Sequence, residues 1–414
     1  MTEKLAIDGG SPVRTVPFPT WPQVDRVGID AVDKVLASGN LNYHFGDEGI
    51  AFEKTFALYC EVPHALSVSN GTVALEVALR AWGVGPGDEV IVPSRTFVAT
   101  AGAVVAVGAS PIIADIDPIT NCMTAISCAK VLTPRTKAII PVHLGGYPAP
   151  LASIASLAAQ VGAFVVEDCA QALGARSDGH PVGTQYEAGC FSFCQDKIIA
   201  LGEGGMITLN NMEVYKDIWA FRDQGHTYDL AVGTAAGEAR SGFRWMTEIF
   251  GTNARMTQMQ SAMGLWGMDQ LPIWHARRVE NAQVLIDTMH ELDGIEPCIP
   301  AAEDHENVHA FYRLYGLVDK GFLAKGWTRD HIIDAINSEG VPVQYGSCAL
   351  IGEEKAFERA GIRVNPDLPG ARVAHESSLA FFVHPTATVE DMRDVAEALR
   401  KVMIAATTQS VAGV

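Results

Sequence analysis

The sequence is short of positive charge: 30 lysines and arginines face 48 aspartates and glutamates, a formal net charge of −18 over 414 residues. A nucleic-acid partner would call for a basic face, so this balance argues against one. It also means that an anionic ligand must be held by a local site against the overall field. Long apolar runs are missing too. The stretch Ala101–Ala109 covers nine residues, about half of what a membrane-spanning helix needs. The opening MTEKLAIDGGSPVR has no continuous apolar signal region, which leads to the expectation of a cytoplasmic protein with no membrane partner. The cysteines at 60, 122, 128, 169, 190, 194, 298 and 348 form no CxxC pair, so buried free thiols and no metal site are expected. Internal repeats and low-complexity tracts are lacking as well. What is present, 48% hydrophobic and 19% charged residues, is the composition of a globular chain. Its length calls for one large and one smaller domain.

Along the chain, short Val- and Ile-rich runs alternate with helical patterns. A helix through AVDKVLASG ends at Gly39. HALSVS, DEVIVP, SPIIADID, KAIIPVHL and AFVVED read as strands, separated by helices at GTVALEVALRAWG, FVATAGAVVAVG and APLASIASLAAQVG. That alternation predicts an α/β fold with a mostly parallel sheet covered on both faces. Such sheets bind ligands outside the carboxyl ends of their strands. Beyond about Arg255 the texture changes. Two long helices, TQMQSAMGLWGMDQL and PIWHARRVENAQVLIDTMHEL, precede a strand HAFYRLYGLV and helices at RDHIIDAINSEG and VEDMRDVAEALRKVM. The expected division is 1–255, an N-terminal segment with the large domain, and 256–414, linking helices with a small C-terminal α+β domain.

Four pieces at predicted strand ends carry chemistry. In Ser69-Asn70-Gly71-Thr72 a strand gives way to a helix start, whose free amides and dipole suit a phosphate; a plain helix cap is the other reading. Phe97, just past a strand, can stack on a planar heterocycle or pack in the core. Asp168 closes an apolar strand, where a carboxylate needs a partner. A protonated ring nitrogen would serve, as would an ordinary salt bridge. Gln171 is three residues on. Lys197 follows the apolar strand GCFSF and precedes Gly202, Gly204 and Gly205; partial desolvation there favours a neutral, nucleophilic amine. Each reads singly as ordinary structure. Together, in this order on one sheet edge, they are the parts that hold pyridoxal 5′-phosphate (PLP).

These residues resemble the DegT/DnrJ/EryC1/StrS sugar aminotransferases, a family of fold-type I PLP enzymes. The similarity runs from IDGGSPVRTVPFPTWP through SNGTVALEVALRAWGVGPGDEVIVPSRTFVAT, PVHLGGYPA, VVEDCAQALGA, FSFCQDKIIALGEGGM and GTNARMTQMQSAMGL to HAFYRLYGLV. It implies that Lys197 carries the cofactor, that Asp168 partners the ring nitrogen and that Gln171 sits beside the ring hydroxyl. Phe97 matches the stacking aromatic, Gly71 and Thr72 the phosphate turn, and Ser192 a further phosphate ligand. Asn253 matches a residue that reaches the phosphate of a neighbouring subunit, which implies a homodimer with shared sites.

The resemblance further implies ping-pong transfer from L-glutamate or glutamine to the keto group of a nucleotide-linked deoxysugar. Arg95, Arg222, Arg244 and Arg255 are candidates for a diphosphate or a donor carboxylate. His309 and Tyr312 are candidates for acceptor contacts. PVHLGGYPAPL lacks an acidic residue common after the proline-alanine step, Ala254 replaces a common large aromatic, and Gln224 stands where the family often has His. These departures leave the acceptor open. Alternatives are a cyclitol (inosose) aminotransferase, an aromatising aminohydroxybenzoate synthase and, remotely, a non-catalytic PLP-binding regulator.

Overall fold

The computed structural model describes residues 3–229, 247, 249–300 and 307–407. Seven strands form the main sheet: β1 (His64–Val68), β2 (Glu89–Pro93), β3 (Ser110–Ala114), β4 (Thr136–Ile139), β5 (Phe164–Asp168), β8 (Ala188–Ser192) and β9 (Gly205–Leu209). A short hairpin, β6 (Arg176–Ser177) and β7 (His180–Pro181), lies between β5 and β8. The order across the sheet is β1-β9-β8-β5-β4-β2-β3. β9 runs antiparallel to both neighbours and all other pairs of adjacent strands are parallel. Two reversals across β9 cancel, so β1, β2, β5 and β8 all end at the same edge.

The expected α/β class is what the chain adopts. Crossover helices such as Gly71–Ala81, Ala99–Ala106 and Leu151–Val161 return the chain between strands, and their apolar faces close over the Val/Ile-rich sheet. Helix Arg26–Ser38 stops at Gly39, whose φ of +73° ends the helix in the left-handed conformation that glycine tolerates.

Two expectations change. The stretch read as two helices meeting at Pro272 is one helix, Gln258–His290. Pro272 costs a backbone hydrogen bond there. Burial of Trp266, Met268 and Leu271 before it, and of Ala282, Leu285 and Met289 after it, holds the helix together across that loss. HAFYRLYGLV is strand only over β11 (Leu314–Val318), because Phe311 takes φ +50° and turns the preceding residues away from extended geometry. β11 belongs to an antiparallel second sheet with β10 (Ile295–Pro297), β12 (Val343–Gln344) and β13 (Ser378–Phe381).

Packing interleaves distant segments. Leu5 joins the core of the second sheet with Leu314, Phe381 and Leu399. Leu350, Ile351 and Ala371 join that of the main sheet. Glu339, fully buried, anchors the N-terminal segment by accepting from the amides of Ala6 (2.8 Å) and Val13 (3.1 Å) and from Lys401 Nζ (2.9 Å). This brings Phe18–Trp21 to the space between the sheets.

Candidate functional site

The strand-end residues converge. The carboxamide of Asn70 accepts from the Val73 amide at 2.9 Å, so the cap reading of the Ser-Asn-Gly-Thr turn holds for Asn70. A cap satisfies one of the four free amides of a helix start, and those of Gly71 and Thr72 remain. Gly71 has a specific reason to be glycine: a Cβ there would lie 2.7 Å from Ser192 Cβ. The end of β8 therefore presses against the start of helix Gly71–Ala81. The Ser192 hydroxyl stands beside two outward amides, a cradle of the size and polarity of a phosphate.

Asp168 ends β5 and is 6% exposed. Its Oδ2 accepts from Thr100 Oγ1 at 2.9 Å and its Oδ1 from the Ala170 amide at 3.1 Å. Thr100 is oriented in turn by Thr96, 2.8 Å away. Burial raises the Asp168 carboxyl above its ordinary range, against the Ala170 amide, the Thr100 hydroxyl and the charge of Lys197. A carboxylate so placed gains most from a nearby positive N–H. Gln171 is held by the Gly145 amide, which donates to its Oε1 at 2.8 Å and leaves the carboxamide N–H groups as donors.

Lys197 lies between these groups and the second sheet. Trp21 Nε1 donates to the Lys197 carbonyl at 2.8 Å. The ammonium stands 3.7 Å from Asp196 Oδ1 and 4.8 Å from the centroid of the Tyr312 ring. Tyr312 donates its hydroxyl to Asp196 Oδ2. Burial alone would raise the Asp196 carboxyl, but Lys197, Tyr312 and Arg313 together hold it below the usual range.

On the far face of β5, Glu167 alternates with Asp168. The Ala149 amide donates to His143 Nδ1 at 2.9 Å, so Nε2 carries the proton and donates to Glu167 Oε2 at 3.0 Å. His143, Glu167 and Cys169 lie close enough to share an ion. With both ring nitrogens committed, however, the histidine is a link in a hydrogen-bond chain rather than a ligand.

Other expected residues are placed as follows. Phe97 is 68% exposed, which removes core packing as its reason and leaves the ring presented beside the sheet edge. Asn253 is exposed and bridges Asp223 through its backbone, and the carbonyl of the next residue, Ala254, accepts from the Ser69 amide at 2.8 Å beside the phosphate turn. Arg95 and Arg222 are both buried with internal partners, although Arg95 Nε and Arg222 Nε and Nη2 are left without one. Arg95 donates to Asn121 (2.5 Å), Ser378 (2.7 Å) and the Tyr345 carbonyl (3.3 Å). Arg222 donates to Glu53 (2.9 Å) and the Ser67 carbonyl (3.1 Å). Arg255 pairs with Asp223. Arg244 lies outside the described residues. His309 is fixed by the Phe311 amide, which donates to its Nδ1 at 2.9 Å, and by stacking 4.0 Å from the Phe311 ring. Burial, with a smaller contribution from His275, pulls its pKa down to about 3. It therefore stays neutral, while the Tyr312 ring sits against Lys197.

Sequence reasoning missed Thr100, Trp21, Asp196 and Arg313. Thr100 could have been found, being four residues past Thr96 on a helix start beside the strand end. The others meet Lys197 only through tertiary folding.

The site fits PLP on these observations: a cradle that a Cβ would fill, a buried carboxylate short of a cation, and a single amine between them. Comparison with known proteins agrees. The model of the DegT/DnrJ/EryC1/StrS aminotransferase family matches residues 22–400. An L-glutamine:2-deoxy-scyllo-inosose aminotransferase from Streptoalloteichus tenebrarius is 36% identical over 72% of this chain and 70% of that one. A solved aminotransferase from Psychrobacter cryohalolentis superposes with a TM-score of 0.91 at 40% identity, covering 95% of this chain and 100% of the other. A 3-amino-5-hydroxybenzoic acid synthase superposes at 0.82 with 27% identity, covering 95% and 100%. No described helix is long and apolar enough to cross a membrane. The chain belongs to the DegT/DnrJ/EryC1/StrS family and is a PLP-dependent aminotransferase of the fold-type I class.

Proposed function

We propose that the enzyme moves an amino group from L-glutamine or L-glutamate to the keto carbon of a polyhydroxylated six-membered ring, with an inosose-type cyclitol placed before a nucleotide-linked keto sugar. One comparison carries the order of acceptors: the Streptoalloteichus tenebrarius relative is named as an L-glutamine:2-deoxy-scyllo-inosose aminotransferase. Three of the four arginines suited by sequence to a diphosphate, Arg95, Arg222 and Arg255, also have internal partners. The nucleotide-linked sugar stays as the second reading, since Arg244 is outside the described residues.

In this reading, Gly71 and Thr72 amides and the Ser192 hydroxyl hold the cofactor phosphate, Phe97 covers one ring face, and Gln171 donates to the ring hydroxyl. Asn253 serves the site of a second copy in a homodimer. When bound, PLP supplies a carbonyl for amine exchange and an electron sink for a developing carbanion. Asp168, held by Thr100 and Ala170, keeps a proton on the ring nitrogen and so deepens that sink. Lys197 carries the cofactor at rest. Its freed amine would then take the proton from the donor α-carbon and deliver it to the former carbonyl carbon of the cofactor, across the intervening nitrogen, and the second half-reaction would run the same transfer in reverse. Asp196 and the Tyr312 ring keep that amine near its post between the two transfers.

The test loads the enzyme with pyridoxamine phosphate and offers inososes and nucleotide-linked 3-keto and 4-keto sugars, reading the amino product by mass spectrometry. Amination of an inosose, with the nucleotide sugars inert, is expected. The reverse pattern contradicts the acceptor order, and a product that has lost water points to the aromatising chemistry.

A further inference from the structure

A cleft of about 330 Å³ opens beside Lys197, between the N-terminal segment and the second sheet. Trp21, Asp196, Arg278, Arg313, Phe382 and His384 are among its walls. Two of its wall residues, Asp196 and Tyr312, flank the Lys197 ammonium at 3.7 Å and 4.8 Å, and Trp21 holds the Lys197 carbonyl, so one side chain separates the cleft from the amine.

Its charge is unusual for so acidic a chain. Arg278 is 1% exposed. Its Nη1 donates to the carbonyls of Phe311 (3.1 Å) and Tyr312 (3.5 Å). Its Nε and Nη2 have no partner, and no carboxylate pairs with it among the described residues. A buried guanidinium without a counter-charge is costly unless something supplies one. Burial and the neighbouring charge of Arg313 pull its pKa down to about 9. Arg313 lies over Phe382, with Cζ 3.9 Å from the ring centroid. Its nearest carboxylate, that of Asp196, is 3.7 Å away, at the limit of a salt bridge.

His384 completes the wall. Thr386 Oγ1 donates to the Thr20 carbonyl at 2.9 Å, so its contact with His384 Nδ1 at 2.8 Å must be an N–H donated by the imidazole. Nε2 is then left as an acceptor. Burial and the two arginines hold this histidine neutral, with a pKa of about 4. Two guanidiniums thus face one rim carboxylate and a neutral imidazole, a net positive hollow of a size suited to a small molecule.

We propose that this cleft is the carboxylate subsite for the amino donor, with Arg313 and Arg278 receiving the carboxylate of an amino acid whose α-amine is presented to Lys197. The proposal rests on the amino-acid donor of the preceding section. Arg313 offers the planar fork that matches a carboxylate, fixed by stacking before the ligand arrives. Arg278 supplies charge from behind. Asp196 sets the limit on binding, since its own charge opposes a second carboxylate.

The test is calorimetric titration of the PLP-loaded enzyme with glutarate, a dicarboxylate that has no amine to react. Wild type is expected to bind it. Arg313→Gln should weaken binding by about tenfold or more, the loss of one charge-assisted hydrogen bond. Arg313→Lys should fall between the two, and Asp196→Asn should bind more tightly than wild type. In single-turnover assays, the concentration of L-glutamine at half-maximal rate should rise by a similar factor in Arg313→Gln. Equal glutarate affinity in wild type and Arg313→Gln overturns the subsite, as does a defect confined to the acceptor half-reaction. Glutarate binding needs no turnover. A subsite failure therefore leaves the acceptor screen standing, and a failed screen leaves the titration standing.

Discussion

The two sides of Lys197 are built in different ways. On the sheet side the groups come from strand ends and their neighbours: the Gly71 and Thr72 amides, Ser192, Asp168 and Thr100. Backbone geometry places them, and each is held by a neighbour such as Ala170, Asn70 or Thr96. On the cleft side the groups are long side chains brought together from residue 21, residues 278 and 313, and residues 382 to 384. The first side suits a cofactor, fixed in place and demanding exact chemistry. The second suits a substrate that must come and go. The same contrast separates the buried arginines. Arg222 has Glu53 as its counter-charge at 2.9 Å, whereas Arg95 and Arg278, equally buried, have no carboxylate partner among the described residues. Burial alone therefore does not mark a structural arginine.

That contrast can be broken by mutation. Lys197→Ala should lower turnover by about 10³-fold or more, because both half-reactions lose their proton carrier; product formation at saturating donor and acceptor measures it. Asp168→Asn should cost about 10²-fold in both half-reactions while cofactor remains bound, since the ring nitrogen loses the charge that keeps it protonated. Single-turnover rates and bound-cofactor absorbance separate the two effects. Arg222→Met strands Glu53 in the interior and should reduce stability by about 3–5 kcal/mol. Urea unfolding reports that loss, and the donor dependence of the folded fraction should stay as in wild type. Phe97→Ala should have the smallest effect. Loss of one stacking contact is worth about 0.5–1.5 kcal/mol, or roughly tenfold in cofactor affinity at most. A Phe97→Ala protein with wild-type cofactor affinity would show that the exposed ring has another use.

The sheet side was legible in the sequence because local rules place it. A Val/Ile run gives a strand, the strand ends in a polar residue, and a parallel sheet collects such ends on one edge. Thus Asp168, Ser192 and Gly71 could be grouped without coordinates. The cleft was not legible, since nothing in the spacing of Trp21, Arg278 and His384 says that they meet. The internal partners of Arg95 and Arg222 were not legible for the related reason that a cation near a strand end or a loop gives no sign of Asn121, Ser378 or Glu53 in the interior. Pro272 misled in the other direction. A helix breaker by local rule, it sits within a 33-residue helix because tertiary burial on both sides outweighs one lost hydrogen bond. Phe311 interrupts a good strand pattern with a left-handed turn whose carbonyl then binds Arg278.

The most direct test of the account is the fate of the cofactor on reduction. The enzyme loaded with PLP is treated with sodium borohydride, digested and sequenced by mass spectrometry. The account expects one pyridoxyl group, fixed on Lys197. A label on another lysine, or none, would contradict it.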